Sequence, residues 1–325
     1  MGTTHLEQAI HSQPDELERL SKLDIGPVAT RLGDRQRVWL VGTGTSQHAA
    51  ELGALLLSEA GVDARWSGSF EFARLVSGLE PRDAVIVISQ SGSTAYAKAA
   101  RERAMRSGAE VVSITGIGSG WPEAIETVEM ERSETYTVSY TAALLVLCRL
   151  AQELGLKGIS SDDLMRVAGR TQTIASSPDR LAIGPPDRAI ILVGNGAGAI
   201  TAREGALKIR EAAQVLAEGY GGEYLLHGGA VPLRPGDTLV LINPDADPDG
   251  LLGALGEAAR TEGVTVARIN EPSISHPVLA QIPLTVELQK LALQFAEERS
   301  TDPDRVIVRG WASDALWAIG CPGTP

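Results

Sequence analysis

Two stretches decide the fold: "VWLVGTGTS" at 38–46 and "IILVGNGAG" at 190–198. Each is an unbroken apolar run that ends at a glycine and passes through a Gly-x-Gly turn into a helical pattern. An apolar run without alternation reads as a strand covered on both faces, as in parallel sheets. Outward from the first stretch, the pattern predicts a strand at 37–42, a helix at 46–60 and a strand at 83–89. A helix at 93–107, a strand at 109–116 and a helix at 140–155 follow. Outward from the second, it predicts a strand at 188–196, a helix at 199–213, a strand at 237–243, a helix at 249–262 and a strand at 264–270.

The two halves stay in register beyond the opening turn, since "AVIVISQSGST" (84–94) faces "TLVLINPDADP" (238–248). The fold class is therefore α/β: two tandem α/β/α sandwiches with parallel sheets, related by duplication. The expected segments are an N-terminal helix at 1–24, a first domain at 25–155, a linker helix at 156–187, a second domain at 188–300 and a C-terminal tail at 301–325.

Bulk properties narrow the function classes. A chain of 325 residues with 43% hydrophobic and 22% charged residues reads as globular. Its net charge of -12 opposes a nucleic-acid or anionic-membrane role, so neither partner is expected. Two cysteines, Cys148 and Cys321, provide no disulfide framework and no cysteine-rich metal site. Residues 1–22 are polar, without the basic and apolar regions of a signal peptide, and no apolar run reaches the ~20 residues of a membrane span. A cytoplasmic location is the expectation. Five lysines stand against twenty-four arginines, which makes a lysine in a motif conspicuous.

The halves differ where a ligand would sit. In open α/β sheets ligands bind beyond the carboxyl ends of the strands, where helix N-termini offer free N–H groups to anions. The first half places Ser89, Gln90, Ser91, Gly92, Ser93 and Thr94 there, and a second hydroxyl pair, Thr45 and Ser46, after the strand at 37–42. Hydroxyls donate to phosphate oxygens, and glycine lets the backbone come close. The bland reading of either loop is a turn or a helix cap. The second half places Asn243, Pro244, Asp245, Ala246 and Asp247 at the matching point, and its carboxylates would repel an anion. One anion site per chain follows. A nicotinamide cofactor is disfavoured because Gly42, Gly44 and Gln47 break the G-x-G-x-x-G spacing, and no cofactor or metal is expected.

Several motifs together resemble the double sugar-isomerase (SIS) proteins: "GTS" (44–46), "SQSGST" (89–94) and "EGALKIRE" (204–211), with Tyr220 and His227 downstream. The isomerase half of glucosamine-6-phosphate synthase, type II glucosamine-6-phosphate deaminases and fructosamine-phosphate deglycases share these features. The likeness starts at "EQAIHSQPDEL" (7–17), similar to the family's N-terminal helix, and leaves no counterpart of the synthase's glutamine-hydrolysing domain in this sequence.

The resemblance implies that Ser89, Gln90, Ser91 and Thr94 hold phosphate, that Thr45 and Ser46 line the sugar, and that Ser139 contacts substrate. It also implies Glu211 as the base moving a proton between C1 and C2, with Lys208 stabilising charge on the enediol oxygens. His227 would open the sugar ring from a neighbouring subunit, so a homodimer with shared active sites is implied. On the residues alone, Glu204–Lys208 is an ordinary exposed ion pair at i, i+4. His48 reads as structural.

One feature departs from the synthase. No lysine follows Lys290, and the tail reads Arg309, Gly310, Trp311, Ala312 where a Schiff-base lysine is expected. Arginine is too strongly protonated for that role. Trp311 and Trp317 then either close the pocket or pack, and packing is the expectation. The implied activity is that of a phosphorylated-amino-sugar isomerase/deaminase, with a deglycase or a non-catalytic sugar-phosphate sensor as alternatives.

Overall fold

The computed structural model describes residues 3–322 and divides them into two compact units. One holds residues 15–131, 138–165 and 307–322; the other holds 3–14, 132–137 and 166–306. The units are thus interleaved in sequence, unlike the consecutive segments expected above. Residues 132–137 join the later unit because their polar groups are used there. Ser133 and Thr135 donate their hydroxyls to the Pro303 carbonyl at 3.2 and 2.7 Å, and Val306 N donates to Glu134 Oε2 at 2.6 Å.

Helices α1 (His5–Ser21) and α2 (Gly26–Gly33) precede β1 (Arg37–Gly42), α3 (Thr45–Glu59), β2 (Ala64–Gly68), α4 (Ser69–Arg74), β3 (Asp83–Ile88) and α5 (Ala95–Ser107). Then come β4 (Glu110–Thr115), β5 (Ala124–Glu126), α6 (Val138–Glu153) and α7 (Ser161–Ser176). The strands pair in the order β2-β1-β3-β4-β5, all parallel. Every residue of β3 is buried, which is why "DAVIVI" shows no alternation.

The later unit repeats the plan. It runs β6 (Ala189–Gly194), α8 (Ala197–Ala213), β7 (Leu216–Gly221), α9 (Gly222–Tyr224), β8 (Thr238–Ile242), α10 (Leu251–Thr261), β9 (Thr265–Ile269) and α11 (Gln281–Arg299). Its parallel order is β7-β6-β8-β9, and β8 is buried throughout. The short helix α12 (Asp314–Trp317) lies near the end of the chain.

Local geometry repeats as well as topology. The turn into α3 has Gly44 at φ 57°, ψ -128°, and the turn into α8 has Gly196 at φ 54°, ψ -123°. A positive φ combined with a strongly negative ψ at both points is open to glycine and closed to residues with a Cβ. A Cβ on Gly42 would collide with the backbone of Ser46, and one on Gly194 with the backbone of Gly198. Gly53 and Gly205 sit at the ninth position of α3 and α8. Each lies against a leucine of the preceding strand and one of the unit's buried helix: Leu40 and Leu147 for Gly53, Leu192 and Leu288 for Gly205.

Helices α6 and α11 are buried nearly all round, so neither carries a strong polar face. Each buried glutamine of α11 makes a hydrogen bond through one end of its amide. Gln289 Oε1 accepts from Gln13 Nε2 at 2.8 Å, and Gln281 Nε2 and Gln294 Nε2 donate to the Pro277 and Ile183 carbonyls at 2.7 and 2.9 Å. Helix α11 escapes a sequence reading because its glutamines interrupt the apolar pattern. Strands β2 and β7 escape it because they are partly exposed and carry polar residues and glycine in place of an unbroken apolar run.

Close approach at α8 is testable against a glycine in open space. Gly205→Ala places a methyl group against Leu288 and Leu192, and overpacking of that kind costs ~1–3 kcal/mol. Gly253→Ala, in α10 with nothing near its Cβ position, gains up to ~1 kcal/mol through helix propensity. Urea titration of the two variants should shift the midpoint in opposite directions.

Candidate functional site

In the first sheet, β1 is flanked by β2 on one side and β3 on the other. The chain order reverses between β1 and β3, and the carboxyl ends at such a point form the crevice where ligands bind. Val41 is in register with Val87, so the loops at 42–46 and 89–94 leave from the same end of neighbouring strands. The structure therefore brings Thr45 and Ser46 to the same sheet edge as Ser89, Gln90, Ser91 and Thr94.

The 89–94 loop is tightly folded. Ser89 is buried and its N–H donates to the Ile114 carbonyl at 3.0 Å. The Gln90 carbonyl accepts from Gly116 N at 2.8 Å, while its Nε2 donates to the Glu129 carbonyl at 3.2 Å. Ser91 and Ser93 share a hydroxyl–hydroxyl bond of 2.5 Å, and Gly92 turns at φ 63°. Thr94 precedes α5, and its side chain makes no capping bond. The first-turn N–H groups of α5 donate to no carboxylate of any described side chain, which suits an anion.

The matching edge of the second sheet is filled by the protein's own charge. Asp247 Oδ2 accepts from Leu252 N at 2.7 Å, in the first turn of α10. Its other oxygen accepts from Asn195 Nδ2 at 3.2 Å, and Asn195 Oδ1 accepts from Gly222 N at 3.0 Å. Repulsion is one part of the asymmetry read from sequence; occupation of the helix N-terminus is the other.

Ser139 behaves differently from the other hydroxyls. It is buried at the start of α6, where its N–H donates to Glu131 Oε1 at 2.9 Å and its hydroxyl bonds the same carboxylate. Glu131, eight residues upstream with no motif to mark it, thus caps α6 and engages Ser139.

Helix α8 carries Glu204, Lys208 and Glu211 along one stripe. The exposed ion pair expected from the residues is not what the fold makes of them. Glu204 and Lys208 are both 0% exposed, and Glu211 keeps 19% of its side-chain surface. Lys208 Nζ lies 2.5 Å from Glu211 Oε2 and 3.6 Å from Glu204 Oε1. Burial pushes the Glu211 carboxyl up from the ordinary carboxylate range, the Lys208 cation pulls it back, and the Glu204 charge adds to the rise. A partly accessible carboxylate with a raised pKa is a stronger base than an ordinary carboxylate, and its bond to a buried ammonium holds it in place to accept a proton.

His227 is solvent-exposed at a kink within Leu225–Gly229, where its own backbone (φ -83°, ψ 32°) and that of Gly228 (φ 124°) leave the helical region. Apolar Tyr224, Leu226 and Val231 around it are exposed too, at 68%, 58% and 85%. Trp311 and Trp317 are 73% and 54% exposed, which overturns the packing expected of them; Trp317 Nε1 donates to the Trp311 carbonyl at 2.6 Å. Among the described residues no group of three or more His, Cys, Asp or Glu is placed to hold a metal ion, and no helix is long and apolar enough to cross a membrane.

Comparison with known proteins bears on this geometry. Residues 31–148 match the family model of the SIS domain. Both hydroxyl loops lie within this segment, which is similar to the SIS domain. Glutamine–fructose-6-phosphate aminotransferase of Pyrococcus horikoshii is 31% identical over 312 residues, covering 86% of this chain and 52% of the relative. The same enzyme of Thermococcus kodakarensis is 29% identical over 318 residues, with 86% and 52% covered. The chain spans about half the length of these curated relatives.

Solved structures share the fold. Glucosamine-6-phosphate deaminase of Thermotoga maritima superposes with a TM-score of 0.77 at 19% identity, covering 93% of this chain and 97% of that one. Tagatose-6-phosphate ketose/aldose isomerase of Escherichia coli gives 0.79 at 20% identity, covering 95% and 97%.

Titration of Glu211 tests the electrostatics of α8 directly. The folded chain holds this proton more tightly than an unfolded one, so its contribution to stability falls as pH rises from the ordinary carboxylate pKa toward the raised one. Lys208→Met removes the attraction that favours the carboxylate, so the Glu211 inflection should move further upward. Carbon-detected NMR of the side-chain carboxyl as a function of pH would show it; an unchanged or lower inflection contradicts the assignment.

Proposed function

We propose that this chain acts on a phosphorylated sugar, moving a proton between C1 and C2, with a phosphorylated amino sugar as substrate and loss of ammonia as the outcome. The observation that carries this reading is the pairing of buried Lys208 with partly accessible Glu211, a carboxyl whose proton affinity desolvation raises and which lies 2.5 Å from the ammonium. A sugar proton beside a carbonyl is weakly acidic, so its removal calls for a positioned base and a cation that stabilises the developing oxyanion.

The roles follow from chemistry. Ser89, Gln90, Ser91 and Thr94 hold the phosphate, with the first turn of α5 supplying N–H donors, and Thr45 and Ser46 contact the sugar. Glu211 takes the proton from C2 of the open-chain amino sugar and returns it to C1, while Lys208 faces the negative charge. The imine left at C2 adds water and releases ammonia, giving the ketose phosphate. His227 donates a proton to the ring oxygen during opening.

Two further elements belong to this reading. The chain is a double SIS protein produced by duplication, supported by the repeated Gly-x-Gly turn and the repeated ninth-position glycine. It works as a homodimer, supported by the exposed apolar residues around His227. The names of the relatives, an aminotransferase, a deaminase and a ketose/aldose isomerase of hexose 6-phosphates, support the substrate class.

Glu211→Gln separates catalysis from binding. It keeps size and hydrogen-bonding capacity but removes the base, and loss of a positioned base costs ~10²–10⁴ in rate. In deuterated buffer, wild type should exchange the C2 proton of glucosamine 6-phosphate and release ammonia. The variant should bind comparably and do neither. Tight binding by wild type without exchange would make the chain a sensor instead.

A further inference from the structure

Trp121 stands beside the hydroxyl loop without belonging to it. A Cβ built on Gly92 would lie 3.2 Å from Trp121 Cε2, 3.3 Å from Trp121 Nε1 and 3.4 Å from Ser119 Cβ. One edge of the indole therefore abuts the loop at its left-handed residue, where φ is 63°. Glycine is the residue with the widest choice of backbone conformations, so a loop turning on Gly92 needs an outside surface to hold one of them.

Trp121 is itself held at two points, its ring and its backbone. The Arg101 guanidinium lies over its ring at 4.9 Å. Arg101 is fixed in turn by a forked pair of bonds to Glu123 at 2.5 and 2.6 Å, and Glu123 accepts from the Ser113 hydroxyl of β4 at 2.8 Å. Burial works against this carboxylate, yet the Arg101 and Ser113 donors hold it below its ordinary range. At the backbone, Trp121 N donates to Ser119 Oγ at 3.3 Å, and Ser119 Oγ accepts from Thr115 Oγ1 at 3.0 Å. Ser113 of β4 is thereby linked to the ring that abuts the loop, and Thr115 of the same strand to the Trp121 backbone.

We propose that Trp121 is a positioning residue for phosphate: its indole edge keeps Gly92, and with it the Ser91 and Ser93 hydroxyls, in the binding geometry before ligand arrives. This rests on the reading of 89–94 as the phosphate seat. Its benefit is preorganisation, since a loop ordered in advance spends less of the binding free energy on ordering. The residue touches neither the proton nor the carboxylate that moves it, so it governs affinity and leaves turnover alone.

The test compares Trp121→Ala and Trp121→Phe in the full chain. Titration calorimetry with inorganic phosphate and with glucosamine 6-phosphate should show Trp121→Ala weakened by ~10-fold and Trp121→Phe, which keeps a flat ring, by no more than ~3-fold. Deuterium exchange at saturating sugar phosphate should be unchanged in both. The amide order parameter of Gly92 in the ligand-free chain should fall in Trp121→Ala and be retained in Trp121→Phe. If Trp121→Ala fails to unfold cooperatively, Trp121→Leu, which keeps bulk without the flat edge, takes its place with the same expected losses.

The outcomes separate cleanly. Wild-type affinity in Trp121→Ala, or an unchanged Gly92 order parameter, overturns the positioning role while the phosphate seat stands. A wild-type chain that binds neither probe overturns the phosphate seat itself, and the Gly92 measurement then still decides whether Trp121 orders the loop.

Discussion

How closely a helix can approach the strand before it governs both units. Gly42 and Gly194 let the first turn of the following helix fold directly back over the strand end. Gly53 and Gly205, nine residues into α3 and α8, let each helix pass between its strand and a buried helix without a side chain in the way. In α8 this depth has a chemical consequence. The helix carries Glu204 and Lys208 out of water, and an ammonium without solvent must be compensated by nearby carboxylates. Glu211, at the partly open end of the stripe, is the member whose proton affinity that packing raises.

The two halves use one backbone plan for different ends. At the β1–β3 edge the first turn of α5 is left without a carboxylate cap, beside a loop of hydroxyls. At the β6–β8 edge Asp247 caps α10 and is braced by Asn195. A helix N-terminus attracts negative charge wherever it is found, and the difference lies in whether the chain or a ligand supplies it.

Much of this was legible from local pattern. The buried strands β1, β3, β4, β6 and β8 announce themselves as apolar runs, and the glycine turns mark where helices begin. Edge strands β2 and β7 lack that signal because one side meets solvent, and α11 hides because its buried glutamines look polar until their partners are seen. The resemblance implied Ser139 as a substrate contact, but its bonds to Glu131 were not legible, since hydrogen bonds across a loop leave no periodicity.

The sequence by itself determined the class of fold, the repeat and the identity of the hydroxyl and carboxylate residues, because strand burial, helix periodicity and turn chemistry are local. Only the tertiary structure decided their state. A Glu–Lys pair at i, i+4 is the same four-residue spacing on a surface or in a core, and its meaning changes with the dielectric around it. Here both partners are at 0% exposure, a neighbouring glutamate has its proton affinity raised, and Trp121, unmarked by any motif, lies against Gly92. Burial and contacts between distant segments are sums over the whole packed unit, and no short stretch of sequence contains them.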